Sequence, residues 1–219
     1  MIQHKPEKIY VLSGLSVDHR VFAGIDFGTL EVVPIAWLPP FADEPLADYA
    51  RRLSAQITEA LPIILGLSFG GIMAQEIARI IPCRKIILLA SAQTKYELPV
   101  LYRFFGKLNL HKLVPGFFFK YSWALTEYFF GVSTTREKKL LAQILKETDP
   151  VFRNWAIHAL LHWDRTQAID NSVVVHGSKD KIIPISKVQA DFTVRDAGHF
   201  MTVTHAGVLS DLLKKIVKH

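Results

Sequence analysis

The run Ile63-Ile64-Leu65-Gly66-Leu67-Ser68-Phe69-Gly70-Gly71 constrains this chain more than any other stretch. It reads Gly-x-Ser-x-Gly, set between an apolar run of strand type and a helix-forming run that Pro82 closes. A buried strand that turns sharply into a helix needs such letters. Glycines flank the turn where the strand and helix backbones pass close, and the residue at its apex is held in a strained conformation. Ser68 Oγ would then stand clear of the sheet beside the free N–H groups of a helix start, where developing negative charge is favoured. An ordinary Gly-rich strand–helix turn fits the same five letters, so the rest of the chain decides.

Around this turn, strands alternate with helices. Lys8 to Gly14, Leu30 to Ala36, Ile63 to Leu67, Arg84 to Ala90, Asn171 to Gly177 and Asp191 to Arg195 read as six strands. They are apolar runs rather than alternating ones, the pattern of a parallel sheet covered on both faces. Pro34 suits an edge strand. Arg20 to Gly28 reads as a short helix. Asp43-Glu44-Pro45 opens a longer one through about Ala60, Phe69 to Ile81 follows the Ser68 turn, and Val203 to Val217 contains the last helix. The expectation is a doubly wound, three-layer α/β sandwich of about six parallel strands.

Ala92 to Asp170 breaks this rhythm. It holds no convincing strand but four helical stretches: Pro99 to Leu110, Gly116 to Phe130, Thr135 to Glu147 and Pro150 to Trp163. The aromatics here, among them Phe104, Phe105, Phe117, Phe118, Phe119, Trp123, Phe129, Phe130, Trp155 and Trp163, exceed what four short helices bury among themselves. The expected organisation is a core from residues 1–91 and 171–219 and an inserted helical cap, 92–170, with an apolar underside. Phe129, Phe130, Trp155 and Trp163 are the candidates to face substrate, although each could equally be cap core.

Composition narrows the field. Half of the 219 residues are hydrophobic, enough for a sizeable core. The single cysteine, Cys83, permits no internal disulfide and fits a reduced, cytoplasmic setting. The N-terminus has no apolar signal core, and Phe117 to Phe130 is too short and too charged to span a membrane. The net charge of +6 is scattered on helix faces without a basic, aromatic-laced stripe, so nucleic acid is not an expected partner. Oligomeric state is not readable.

A serine hydroxyl becomes a useful nucleophile only beside a base, and that base needs an orienting acid. In a parallel sheet both belong on loops at the carboxyl ends of strands. Val173-Val174-Val175-His176-Gly177-Ser178-Lys179-Asp180 places Asp180 on such a loop, just before Pro184, which would open a helix. A turn or capping role suits Asp180 as well. Asp170 precedes its strand and Asp196 crowds the candidate base, so both are weaker rivals. The favoured base is His199, in Asp196-Ala197-Gly198-His199-Phe200, the only one of nine histidines beyond the acid on such a loop. His205 falls in or near the final helix, and His176 lies within a strand. His158 and His162, one helical turn apart, lack a third ligand, so no metal is expected. Two backbone donors for an oxyanion are sought at Phe69 and in Gly14-Leu15-Ser16, where Leu15 is preferred. Asp18 and His19 either line the same mouth or simply cap a turn.

These pieces, Gly14-Leu15, Gly66-Leu67-Ser68-Phe69-Gly70-Gly71, Gly177-Ser178-Lys179-Asp180 and Ala197-Gly198-His199, stand in the order found in α/β-hydrolases, and the resemblance covers nearly the whole chain. It implies Ser68 as nucleophile, Asp180 as orienting acid, His199 as base, and a cap at Ala92 to Asp170. The chain departs from the family in lacking the usual first hairpin, in carrying Ser13-Gly14 for the common His-Gly, and in having no Gly-Gly-Gly run. The expected function is cleavage of an ester or thioester of a small, partly apolar substrate without a cofactor. Lyase, acyl-transfer or carbon–carbon cleavage chemistry on the same three residues, or mere binding of a small ligand, are the alternatives.

Overall fold

In the computed structural model, residues 6–107 and 123–218 are described. Six parallel strands form one sheet in the order β2-β1-β3-β4-β5-β6. They are β1 (Lys8–Leu12), β2 (Glu31–Pro34), β3 (Ile63–Leu67), β4 (Lys85–Leu89), β5 (Ser172–Gly177) and β6 (Phe192–Val194). Pro34 ends the edge strand β2, where its missing N–H costs no ladder bond. The central strand β3 is buried at all five positions, which is why it reads as an unbroken apolar run.

The pleat sends alternate residues to opposite faces. On one face Tyr10, Leu12, Ile64, Ile86, Leu88 and Val174 join Tyr49 and Leu53 of α1 (Leu46–Ser54) and Ile72, Met73 and Ile77 of α2 (Phe69–Ile77). On the other, Ile9, Val11, Leu65, Ile87 and Val175 meet Leu209, Leu213 and Ile216 of α8 (Ala206–Lys218). Helices on both faces of an all-parallel sheet make a doubly wound sandwich.

Between β4 and β5 lie α3 (Val100–Lys107), α4 (Trp123–Phe130), α5 (Thr135–Glu147) and α6 (Pro150–His162). A full capping box at Thr134 and Glu137 fixes the start of α5, and Asp149 with Pro150 starts α6. Phe152, Ala156 and Ala159 of α6 extend the α1–α2 core, and Leu141 and Ile144 of α5 extend the α8 core. Phe117, Phe118 and Phe119 lie outside the described residues, as does the side chain of Phe105.

Four helices expected from sequence are shorter than expected, one of them α2, which ends at Ile77 rather than Ile81. The segment Arg20 to Gly28 contains only a 3-10 turn, His19–Phe22, because Gly28 takes a left-handed conformation and the Asp26 amide turns to Ser210 Oγ. Helix α1 stops at Ser54 rather than Ala60. Beyond it the Gln56 side chain bonds both the N–H and C=O of Ala36, and the Thr58 amide bonds the Tyr10 hydroxyl, so the chain is tied to the sheet edge. The helix expected at Pro184 is a 3-10 turn, Ile185–Lys187, since the Ile182 and Ile183 amides are already taken by Asp180. A short α7 (Met201–Thr204) precedes α8. Among the described residues no helix is long and apolar enough to cross a membrane.

The packing of β3 on α2 depends on missing side chains. A Cβ at Gly66 would sit 2.3 Å from Gly70 O, and one at Gly70 would sit 2.3 Å from Ser13 O. Gly66→Ala therefore forces backbone apart at the centre of the sheet and should cost more than about 3 kcal/mol. Gly207→Ala, in the first turn of α8 with open space around it, should leave stability within about 1 kcal/mol and on the favourable side. Thermal melts of the two variants check this pair; equal melting temperatures would contradict the packing account.

Candidate active site

Ser68 is the residue between β3 and α2, with φ 52° and ψ −118°. This conformation is costly for a residue with a Cβ, and three hydrogen bonds hold it. The Ser68 amide donates to Leu89 O at 2.8 Å, Ser91 Oγ donates to Ser68 O at 2.7 Å, and the Gly71 amide donates to the same carbonyl at 2.9 Å. The side chain is thereby carried above the carboxyl edge of the sheet.

His199 follows β6 on a loop tied down on two sides. The Phe200 amide donates to Phe130 O at the end of α4, and the Lys179 amide donates to Ala197 O. Gly198 passes so close to Gly131 that an added Cβ would lie 3.1 Å from the Gly131 Cα. In this setting His199 Nε2 is 2.9 Å from Ser68 Oγ and Nδ1 is 2.7 Å from Asp180 Oδ2. Asp180 Oδ1 accepts from the amides of Ile182 and Ile183, each at 2.9 Å. Burial by itself would raise the Asp180 pKa. The charge of His199, hydrogen bonds from His176 and His199, and the Ile183 amide outweigh it and hold the carboxyl well below the usual carboxylate range. The geometry suits proton transfer from Oγ to Nε2, with the resulting imidazolium facing a fixed carboxylate.

The amide of Phe69 belongs to the first residue of α2, where the helix offers no carbonyl for it. The loop carrying Leu15 runs alongside, since a Cβ on Gly14 would stand 3.4 Å from Ser68 Cβ. That loop is braced. Trp37 Nε1–H donates to Ser13 Oγ at 2.8 Å, Ser13 Oγ donates to Val17 O at 2.7 Å, and Thr148 Oγ1 donates to Ser16 O at 2.8 Å. Sequence reasoning singled out neither Trp37 nor Thr148, because each is distant in the chain and neither belongs to a motif.

Ser68, His199 and Leu15 share a cavity of about 340 Å³. Its other walls are mostly apolar: Phe130 from α4, Ile157, Leu160 and Leu161 from α6, Tyr102 from α3, and Ile182 beside Asp180. Of the four aromatics expected at substrate, Phe130 is here, with its ring edge-on to His199 at 5.9 Å. Phe129 is 39 % exposed and packs on Tyr128. Trp163 is buried, with its Nε1–H donated to Glu76, and Trp155 donates to Glu44 O while lying edge-on to Phe69. Trp155 and Trp163 border a separate, larger cavity of about 1140 Å³. The aliphatic wall of α6 was not singled out from sequence, although its i, i+3, i+4 spacing is that of one helix face.

The other candidates are engaged elsewhere. Asp18 caps the His19–Phe22 turn and pairs with Arg20, which also reaches Glu147. Asp196 is exposed and paired with Lys179, and Asp170 is exposed at the head of β5. His205 contacts Thr204 Oγ1. His158 and His162 stack on one helix, and among the described residues no three His, Cys, Asp or Glu side chains are grouped to hold a metal. Cys83 packs near the start of β4, where burial pushes its thiol up to about 11, far from a reactive thiolate.

Residues 11–212 match the profile of the Alpha/beta hydrolase family. The chain belongs to that family. Among curated protein sequences nothing matches significantly. Solved structures do. The enol-lactonase from Burkholderia xenovorans LB400 superposes with a TM-score of 0.74 at 14 % identity, covering 100 % of this chain and 94 % of that one. The esterase EaEST from Exiguobacterium antarcticum gives 0.73 at 15 %, covering 98 % and 93 %, and a bromoperoxidase from Bacillus anthracis gives 0.70 at 12 %, covering 98 % and 93 %. At such identities the likeness is one of fold.

A carboxylate held below its unfolded value contributes stability that is complete above about pH 4 and is lost as pH falls below it. Asp180→Asn removes that contribution. Denaturant unfolding at pH 6 and pH 3 should show a smaller acid-induced loss of stability in the variant than in wild type. An identical loss in both would contradict the depressed carboxyl.

Proposed function

We propose that this alpha/beta hydrolase is a serine hydrolase that cleaves an ester or thioester of a small, partly apolar substrate. One observation carries the reading: His199 lies within hydrogen-bond reach of both Ser68 Oγ and Asp180 Oδ2, at 2.9 and 2.7 Å, on the wall of an apolar cavity. The substrate acyl group enters that cavity, whose lining carries no Asp, Glu, Lys or Arg side chain. Ser68 Oγ attacks the carbonyl carbon while His199 Nε2 takes its proton. The carbonyl oxygen becomes an oxyanion that accepts from the Leu15 and Phe69 amides. Collapse of this intermediate expels the alcohol or thiol, which leaves with the proton from Nε2. Water then attacks the acyl-enzyme, again losing its proton to His199, and the acid is released. Asp180 stays ionised throughout and steadies the imidazolium.

The segment Ala92 to Asp170 acts as a cap in this reading. Its helices supply Tyr102, Phe130, Ile157, Leu160 and Leu161 to the acyl wall.

Labelling with a fluorophosphonate and a panel of esters graded by acyl length test the proposal. Wild type should be labelled and turn over. Ser68→Ala should keep the fold, lose the label, and lose activity by a factor on the order of 10⁴ to 10⁶. A folded Ser68→Ala protein with near-normal turnover would remove the nucleophile assignment. Narrowing the cavity with Ile157→Phe should move the length optimum toward shorter chains with little change in melting temperature. An unchanged optimum would mean that α6 does not read the acyl group.

A further inference from the structure

His176 takes no part in the proton path just described, yet it is one of the most enclosed polar groups in the protein. It is the residue before Gly177 at the end of β5 and has no solvent exposure. Its Nε2 lies 2.8 Å from Ile183 O and 3.4 Å from Asp180 Oδ2. Both neighbours are acceptors, a carbonyl and an ionised carboxylate, so Nε2 must carry the ring hydrogen. Nδ1 is buried with no hydrogen-bond partner. The Nε2–H tautomer leaves only an acceptor unmet there. The opposite tautomer would bury an unmet donor and set a bare lone pair against two oxygens, which costs far more.

We infer that His176 is a positioning residue for the active carboxylate, sharing its Nε2–H between Asp180 Oδ2 and Ile183 O. The inference rests on the hydrolase reading above. A carboxylate has about four lone-pair directions. In Asp180 the Ile182 and Ile183 amides meet Oδ1 and His199 Nδ1 meets Oδ2, and the direction left on Oδ2 faces His176 Nε2 at 3.4 Å. His176 thus blocks rotation of the oxygen that His199 Nδ1–H must meet. It also ties that oxygen to the 180–183 loop, through the carbonyl of a residue whose amide already holds Oδ1. The other titratable groups around the cluster are Glu97, in the loop after β4, whose carboxyl interacts with His176, and Tyr102 of α3, which feels the Asp180 charge.

Removing this donor leaves Asp180 more basic and freer to turn. A more basic carboxylate grips the imidazolium harder, so the base requires higher pH to shed its proton. His176→Phe should therefore move the acidic limb of the kcat/KM profile up by about half a pH unit. It should lower kcat roughly tenfold, the worth of one hydrogen bond, and leave KM within about twofold. The low-field N–H resonance of the His199–Asp180 hydrogen bond should shift as well. His176→Gln, whose amide reaches the Nε2 position, should restore both readouts, whereas His176→Asn, with its amide at the Nδ1 position, should not. The Gln–Asn pair makes the same comparison where Phe is not accommodated. A folded variant without the donor that keeps the wild-type limb and the wild-type resonance overturns the inference. Failure of wild type to hydrolyse any ester would count against the hydrolase reading alone, because the resonance still reports on His176: a shift supports the inference and no shift overturns it.

Discussion

The fold and the candidate site both hang on one contorted residue. Ser68 adopts φ 52° between a strand and a helix that nearly touch. Such strain costs roughly 1–3 kcal/mol and persists only where its surroundings over-determine it. Here they do. Gly66 and Gly70 let β3 and α2 close on each other, the Ser68 amide completes a ladder bond to β4, and Ser91 Oγ caps its carbonyl. Every residue of α2 is buried, so the helix cannot back away to relieve the turn. The same geometry leaves the first amides of α2 open and lifts Oγ to the sheet edge. Structural strain and chemical access therefore have one cause.

The remaining groups reach Ser68 because a parallel sheet delivers the carboxyl ends of all its strands to one side. β1 brings the Leu15 loop, β5 brings Asp180 and β6 brings His199. Each loop is braced by residues far away in sequence: Trp37 and Thr148 for the first, the 182–183 amides and His176 for the second, the carbonyl of Phe130 for the third. This bracing lets short loops hold His199 within hydrogen-bond distance of both Ser68 and Asp180, and it recruits the helices after β4 as well as the sheet.

Much of this was legible in the sequence. Strands buried on both faces appear as apolar runs, and all six were placed. Ser68, Asp180 and His199 were singled out as residues on loops that end strands, in the chain order that the resemblance to α/β-hydrolases implies. What escaped were features that depend on tertiary competition. Nothing local shows that Gln56 and Thr58 will bond the sheet edge instead of prolonging α1, or that Asp180 will take the amides a helix after Pro184 would need. The cavity wall was legible only in part. An excess of aromatics signals that apolar surface is needed, but not which helix face turns inward. Trp163 spends its ring on the core and its N–H on Glu76, whereas Ile157, Leu160 and Leu161 line the cavity with Phe130. From sequence His176 is only a histidine within a strand, and its two acceptor neighbours give it a further meaning.

In the proposed mechanism Ser68 Oγ, the His199 imidazole and the two amides converge on one carbonyl position. A crystal structure of the protein after reaction with an alkyl phosphonate tests this most directly, because the tetrahedral phosphorus imitates the attacked carbon. The expected adduct has phosphorus bonded to Ser68 Oγ, one phosphonyl oxygen about 2.7–3.1 Å from both the Leu15 and Phe69 amides, and the alkyl group between Phe130 and Ile157. An adduct on another residue, or on Ser68 with that oxygen turned away from both amides, would contradict it.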